Sequence, residues 1–152
     1  MPRFQQQLEL AFLNANAQVP VRRIRLVIAD DHIAILEAVN RLLASDFDII
    51  ATANGGFNAL EAITTLHPDC AVLDISMHDF SGIEVAKRLK AAGSGAKVVF
   101  LTVHEDPDFV DEALAVGATG YVVKSRMASD LRPALKRALA GGLFISPSIK
   151  MT

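Results

Sequence analysis

From Ile24 onward, short apolar runs alternate with segments whose apolar positions recur every three or four residues. Ile24 to Ala29 is apolar apart from Arg25 and stops at Asp30-Asp31, which predicts a first strand. His32 to Ala44 follows as a helix, with Ile33, Leu36, Val39, Leu42 and Leu43 on one side, and Ser45-Asp46 breaks it. Phe47 to Ala53 predicts a second strand ended by Asn54-Gly55-Gly56, and Phe57 to Leu66 a helix stopped at His67-Pro68. Asp69 to Asp74 is the third strand. Ser81 is placed to cap a helix through Val85 and Leu89 to Ala92, with Glu84 completing a capping box and Gly93 and Gly95 ending it. Ala96 to Thr102 is the fourth strand. Pro107 then opens a helix to Val116 with Gly117 as its C-cap. Tyr121 to Lys124 is the fifth strand. Ser129 is expected to cap a last helix to Ala140, with Pro133 at the edge of its first turn and Gly141-Gly142 as the stop.

Strict strand-helix alternation implies a parallel sheet with helices on both faces. The strands are apolar almost throughout, as strands covered on both sides must be. The expected fold class is therefore α/β: a flavodoxin-like (βα)5, doubly wound parallel sheet of strand order 2-1-3-4-5. Residues 1–23 differ from the rest, being rich in Gln, Asn and Ala, with Phe4, Leu8 and Phe12 spaced four apart. They form an N-terminal extension, either a disordered leader or a helix that docks on the domain or on a second copy. The domain itself is expected over 24–146. Residues 147–152, entered through Ser146-Pro147-Ser148, are expected to start a linker or tail.

Composition narrows the partners. A formal net charge of -2 gives no global basic surface, so binding of nucleic acid by this chain itself is not expected. Cys70 is the single cysteine and lies inside an apolar run, which excludes an internal disulfide framework and fits a cytoplasmic protein. No apolar segment reaches the roughly 20 residues that span a bilayer, so no membrane association is expected.

Ligands of open parallel sheets bind beyond the carboxyl ends of the strands, at the switch point of the strand order. There the first strand leaves Asp30 and Asp31, the third Asp74, the fourth Thr102 and the fifth Lys124. Three converging carboxylates repel one another unless a cation joins them. Their oxygen chemistry suits Mg²⁺, which keeps several waters and shares a phosphate. Lys124 adds a point charge useful to a phosphoryl group, and Thr102 a hydroxyl that can bond its oxygens. The set reads as a phosphoryl site with Asp74 as nucleophile. Taken singly, each residue has a plainer reading: Asp30 as a helix cap, Lys124 as a strand-end lysine, Tyr121 as a half-buried strand residue. His32, His67, His78 and His104 lack metal-like spacing and read as surface or loop residues, with His104 close enough to Thr102 to affect how water reaches Asp74.

These residues, with Asp74-Ile75-Ser76-Met77 before Ser81-Gly82 and Gly117-Ala118-Thr119-Gly120-Tyr121 ahead of Lys124, resemble the response-regulator receiver domain of two-component signalling. Asp30-Asp31-His32 and Gly120-Tyr121-Val122-Val123-Lys124 resemble the branch that carries a helix-turn-helix DNA-binding output domain. The resemblance implies that a sensor histidine kinase passes a phosphoryl group to Asp74. Asp31, Asp74 and the Ser76 carbonyl would bind Mg²⁺, with Asp30 direct or through water. Lys124 would pair with the phosphoryl oxygens. Thr102 would be drawn toward them, and Tyr121 would turn into the space vacated, changing the face of the fourth helix, fifth strand and fifth helix. Such a protein is a signalling switch with its own slow phosphorylation and dephosphorylation chemistry, not a metabolic enzyme. It is expected to reach DNA only through an output domain absent from this chain, so a truncated regulator is the expectation, and a homodimer through the switch face or the leader is also expected.

His78 stands where the family usually has proline, and Val103 where a smaller residue is frequent. The alternative reading is a stand-alone or non-phosphorylated interaction module with the same fold. A flavodoxin-like cofactor binder would need a hydroxyl- and glycine-rich loop where Asp30-Asp31 stands. A haloacid-dehalogenase-type hydrolase would need an acid where Ser76 stands.

Overall fold

Parity along each strand decides which side of the sheet a residue faces. The computed structural model describes residues 22–151. The strands are β1 (Ile24–Ala29), β2 (Phe47–Ala53), β3 (Cys70–Leu73), β4 (Lys97–Thr102), β5 (Gly120–Val123) and β6 (Phe144–Ile145). Between them run α1 (Ile33–Leu43), α2 (Gly56–Leu66), α3 (Gly82–Ala91), α4 (Pro107–Ala115) and α5 (Met127–Leu139). All strand pairs are parallel, in the order β2-β1-β3-β4-β5-β6. Leu26, Ile28, Cys70, Val72, Val99, Leu101 and Val122 pack on α1 and α5 through Val39, Leu43, Leu131 and Leu135. Their neighbours Val27, Ala29, Ala71, Leu73, Phe100, Tyr121 and Val123 belong to the other core half, with Ile63 of α2, Val85 and Leu89 of α3, and Val110 of α4. Both faces are dry, which is why the strands carry almost no polar residue.

The flavodoxin-like order is as expected, extended by one short edge strand. Residues β6 contributes are too few to carry a period. It is held through Phe144 N–H to the Thr119 carbonyl and Ser146 N–H to the Tyr121 carbonyl. Beyond it, Ile149 is buried against the α2–α4 half of the core. The stripe of Phe4, Leu8 and Phe12 in the N-terminal extension lies outside the described residues.

Two local expectations need correction at α5. Lys124 is not a strand residue: β5 stops at Val123, and Lys124–Arg126 make a single 3₁₀ turn leading into the helix. Ser129 is not the cap either, because α5 begins at Met127 and Ser129 Oγ donates to the Arg126 carbonyl and to Asp130 Oδ1. The earlier start puts Pro133 inside the helix, where its missing N–H leaves the Ser129 carbonyl without the usual helical partner. Ser81 does cap α3, its hydroxyl accepting from the Glu84 N–H at 3.1 Å. The reciprocal half of the box is not made, since Glu84 Oε1 instead accepts from Arg88 Nε at 3.0 Å.

Gly82 sets how close α3 comes to β3. A Cβ there would lie 2.1 Å from the Asp74 carbonyl oxygen and 3.1 Å from the Phe100 ring. Both that oxygen and the helix N-terminus are backbone, so neither gives way cheaply. Gly82→Ala is expected to destabilise the fold by about 1–3 kcal/mol, the usual cost of overpacking. Thermal unfolding checks this, and an unchanged melting temperature would contradict the close approach.

Candidate functional site at the carboxyl ends of the strands

Because the strands are parallel, every carboxyl end opens on the same edge, and β1 and β3 are neighbours there. Asp30 follows β1 directly, its N–H bonded to the Ala53 carbonyl. Asp74 follows β3, its N–H bonded to the Ala29 carbonyl. Their side chains are 2% and 4% exposed, and both face one cation: Lys124 Nζ lies 2.8 Å from Asp30 Oδ2 and 3.1 Å from Asp74 Oδ2. Asp31 and His32 complete an acidic corner. Ligand atoms of Asp30, Asp31, His32 and Asp74 all lie within 4.8 Å of one another.

One ammonium does not neutralise three carboxylates. Burial is the main reason the Asp74 carboxyl titrates above its ordinary range, with Asp30 adding repulsion against the help of Lys124. Burial also opposes the charge of Lys124, but the Asp74 hydrogen bond and the charges of Asp30 and Asp74 win and hold the ammonium above its ordinary value. The two groups are thus both raised for different reasons: Asp74 by burial, which the shared cation only partly offsets, and Lys124 by the two acids beside it. Asp30 Oδ2 and Asp31 Oδ1 are buried and accept no well-directed hydrogen bond among the described residues. Their nearest nitrogen neighbours are close in distance only, Lys124 Nζ for the first and His32 Nδ1, at 3.1 Å, for the second. Crowded, under-neutralised oxygens are the donor set a hard divalent cation fits.

The loops around this corner are held in different ways. Asp79 reaches across to α2, where its carboxylate accepts from the Gly56 N–H at 2.8 Å and the Phe57 N–H at 2.9 Å. It also accepts from the Phe80 N–H at 2.8 Å. Those amides, Phe57 foremost, hold its carboxyl down at about 2. The loop after Asp74 is therefore anchored without a proline at 78. His78 is exposed, with Nδ1 3.8 Å from Asp31 Oδ2. On the other side, Thr102 ends β4 fully buried, and its Oγ1 accepts from the His104 N–H at 3.2 Å. Tyr121 is also fully buried, not half-buried, and its hydroxyl donates to the His104 carbonyl at 2.8 Å. Ser76 Oγ lies 2.7 Å from His104 Nε2. Val103 is 63% exposed.

Of the residues singled out from sequence, Asp30, Asp31, Asp74 and Lys124 come together in one cluster. Asp30 also acts locally, its Oδ1 accepting from the His32 N–H at 2.9 Å on the way into α1. Thr102, Tyr121 and Ser76 form a second group that meets at His104 rather than at Asp74. His32, read from sequence as a surface or loop residue without metal-like spacing, is exposed but joins the acidic corner, and Asp79 is not singled out. Adjacency to the acidic pair is a signal that could have found His32. Nothing local marks Asp79, whose amide partners are 22 and 23 residues away.

Two predictions follow from the electrostatics. Asp79→Ala should cost roughly 1 kcal/mol, the worth of a helix cap. The lowered carboxyl makes its contribution present above the unfolded-state value of about 3.9 and lost as pH falls toward 2. Melting curves of variant and wild type should therefore converge in acid. Asp74 has the opposite sign: its raised carboxyl binds a proton more tightly folded than unfolded, so ionisation removes stability as pH rises through the carboxylate range. Asp74→Asn is expected to melt above wild type at neutral pH without divalent cations, the gap closing on acidification. A less stable Asp74→Asn at neutral pH would contradict the crowding.

A family model for the response regulator receiver domain matches residues 26–136, from β1 through most of α5. The chain is 35% identical over 136 residues to transcriptional regulatory protein DegU of Brevibacillus brevis, covering 88% of this chain and 58% of that protein. It is 37% identical over 128 residues to transcriptional regulatory protein YvfU of Bacillus subtilis, covering 83% of this chain and 64% of that protein. The chain thus spans about three fifths of the length of these curated relatives. Its fold is similar to the crystal structure of a two-component response regulator of the LuxR family from Aurantimonas sp. SI85-9A1, with TM-score 0.80 and 29% identity over 84% of this chain and 92% of that one. Since the matched span contains the strands that deliver Asp30, Asp31, Asp74, Thr102 and Lys124, the chain belongs to the response regulator receiver domains of two-component systems.

Proposed function

We propose that the chain is a phosphoacceptor switch in which Asp74 receives a phosphoryl group from the phosphohistidine of a sensor kinase. The observation that carries this is the buried Asp74 carboxylate sharing the Lys124 ammonium with Asp30. An Asp74 oxygen bonds to phosphorus as the phosphorus–nitrogen bond breaks, and the electron pair of that bond stays on the kinase's imidazole, which leaves neutral because its other ring nitrogen already carries a proton. Asp30, Asp31 and Asp74, with the Ser76 carbonyl, would hold Mg²⁺, and their under-neutralised oxygens suit it. When bound, Mg²⁺ supplies positive charge to the phosphoryl oxygens in transfer. Lys124 moves from its pairing with carboxylates to the phosphoryl oxygens, a small displacement for a flexible ammonium already in place. The Thr102 hydroxyl donates to the same group.

Tyr121 then reports the state of Asp74 to the face built by α4, β5 and α5. The change is a shift between two existing arrangements, not the creation of a new one. That face is where an output domain, or a second copy of the chain, would read the switch. Because the relatives are longer transcriptional regulators, control of DNA by such a partner domain is part of the reading, in the cytoplasm where sensor kinases deliver phosphoryl groups. The chemistry is that of a signal carrier with intrinsic phosphorylation and dephosphorylation, not of a metabolic enzyme.

Intact mass after incubation with Mg²⁺ and a small acyl phosphate donor tests this. A phosphate-sized adduct is expected on wild type, none on Asp74→Ala, and none when the divalent cation is chelated. An equal adduct on Asp74→Ala would falsify the assignment.

A further inference from the structure

Four contacts from separate parts of the site converge on His104. Its ring Nε2 lies 2.7 Å from Ser76 Oγ, two residues past Asp74. The same ring stacks on Phe109 in α4, with centroids 4.1 Å apart and planes 16° from parallel. Its backbone N–H donates to Thr102 Oγ1, and its carbonyl accepts from the Tyr121 hydroxyl. β4 ends at Thr102, so no sheet ladder fixes the His104 peptide. Among the described residues, these are the hydrogen bonds and the ring contact that place it.

We propose that His104 is a positioning residue whose side chain ties the loop after Asp74 to the loop after Thr102, and thereby holds Tyr121 buried before any phosphoryl group arrives. The peptide of His104 joins two ends of one hydrogen-bonded chain. A hydroxyl has one donor and two acceptor sites, so Thr102 can accept from His104 and still donate to an oxygen on Asp74. Tyr121 hangs from the other end of the same peptide. Whatever moves that peptide moves both Thr102's partner and Tyr121's. The ring contacts to Ser76 and Phe109 are what keep it still, and the first of them reaches directly to the loop that follows Asp74.

A consequence rests on the phosphoacceptor reading above. With Tyr121 already buried, occupation of Asp74 deepens an arrangement that exists rather than building it, so the ligand-induced change is small. Releasing the ring lowers the starting population of buried Tyr121 and enlarges that change.

The test uses the full chain and its only tyrosine. With one tyrosine and no tryptophan, tyrosine emission reports Tyr121 alone. Acrylamide quenching is measured for wild type, His104→Ala, Ser76→Ala, Ser76→Thr and the Ser76→Ala/His104→Ala pair, with no ligand present. Ser76→Ala removes the hydroxyl and keeps the backbone carbonyl. Severalfold stronger quenching is expected for His104→Ala and Ser76→Ala, wild-type quenching for Ser76→Thr, and no further increase in the double variant, because both changes break one contact. Far-UV circular dichroism separates this from unfolding, and the Ser76→Ala and Ser76→Thr pair carries the test if His104→Ala does not fold. Unchanged quenching in Ser76→Ala, or additive effects in the double variant, overturns the proposal. Mg²⁺ with beryllofluoride, a phosphoryl mimic, is then added. Return of the variants to wild-type quenching supports the consequence as well. No return leaves the ligand-free tie standing and counts against phosphoryl acceptance at Asp74.

Discussion

The sharing of one ammonium between two buried carboxylates is the constraint on which the rest of the site depends. Lys124 comes from beyond β5, while Asp74 follows β3, and β4 lies between them. Two strand spacings are about 10 Å, so Lys124 and Asp74 meet only because both side chains reach toward each other across the end of the middle strand. That strand ends at Thr102, which is fully buried. The 3₁₀ turn at Lys124–Arg126 turns the chain out of the sheet plane as soon as β5 ends, which brings the lysine over the strand ends. Sheet order and an early strand stop are thus parts of one solution.

That solution leaves the corner short of positive charge. Buried carboxylates without enough partners oppose folding, and a single well-placed cation offsets only part of the cost. A protein keeps such an arrangement where chemistry needs it, and compensates in the surrounding structure. Here the compensation is visible in the neighbouring loops. The segment after Asp74 is fixed to backbone on both sides, by Asp79 on the α2 amides and by Gly82 beneath the Asp74 carbonyl. His78 in place of the usual proline therefore does not leave this loop unanchored. Among the described residues, the segment after Thr102 has no such backbone anchor and is held by the side chains of Thr102, Ser76, Phe109 and Tyr121. One loop is fixed to backbone, and the other rests on side-chain contacts.

The fold was legible because hydrophobic parity is written locally. β1 and β2 lie where their apolar runs begin and end, and Ser81 caps the helix it was expected to cap. The acidic corner was legible for a related reason, since parallel strands send their last residues to one edge whatever the loops do. What stayed hidden depends on tertiary partners. Asp79 caps a helix it does not precede, so no local capping rule finds it. Ser129 looked like a cap because its neighbours are good helix formers, but the chain was already helical from Met127. His104 looks like an ordinary loop histidine until Ser76, Phe109 and Tyr121 are placed around it. A two-residue strand such as β6 has no period to read.

β6 also shows how far the corner extends through the molecule. Ser146 Oγ donates to the buried Asp130 at 2.8 Å and accepts from the Val123 N–H at 3.0 Å. Burial opposes the charge on Asp130, but Arg126, Ser146 and Ser129 together hold its carboxyl below the ordinary range. Val123 is the residue before Lys124, and the Ser146 N–H is bonded to the Tyr121 carbonyl. The segment after α5 is therefore fastened to the same stretch of β5 that supplies Tyr121 and leads into Lys124. In the switch proposed above, this fastening offers a second, hydrogen-bonded route from the Asp74 side, through β5 and Ser146, beside the one through His104 and α4.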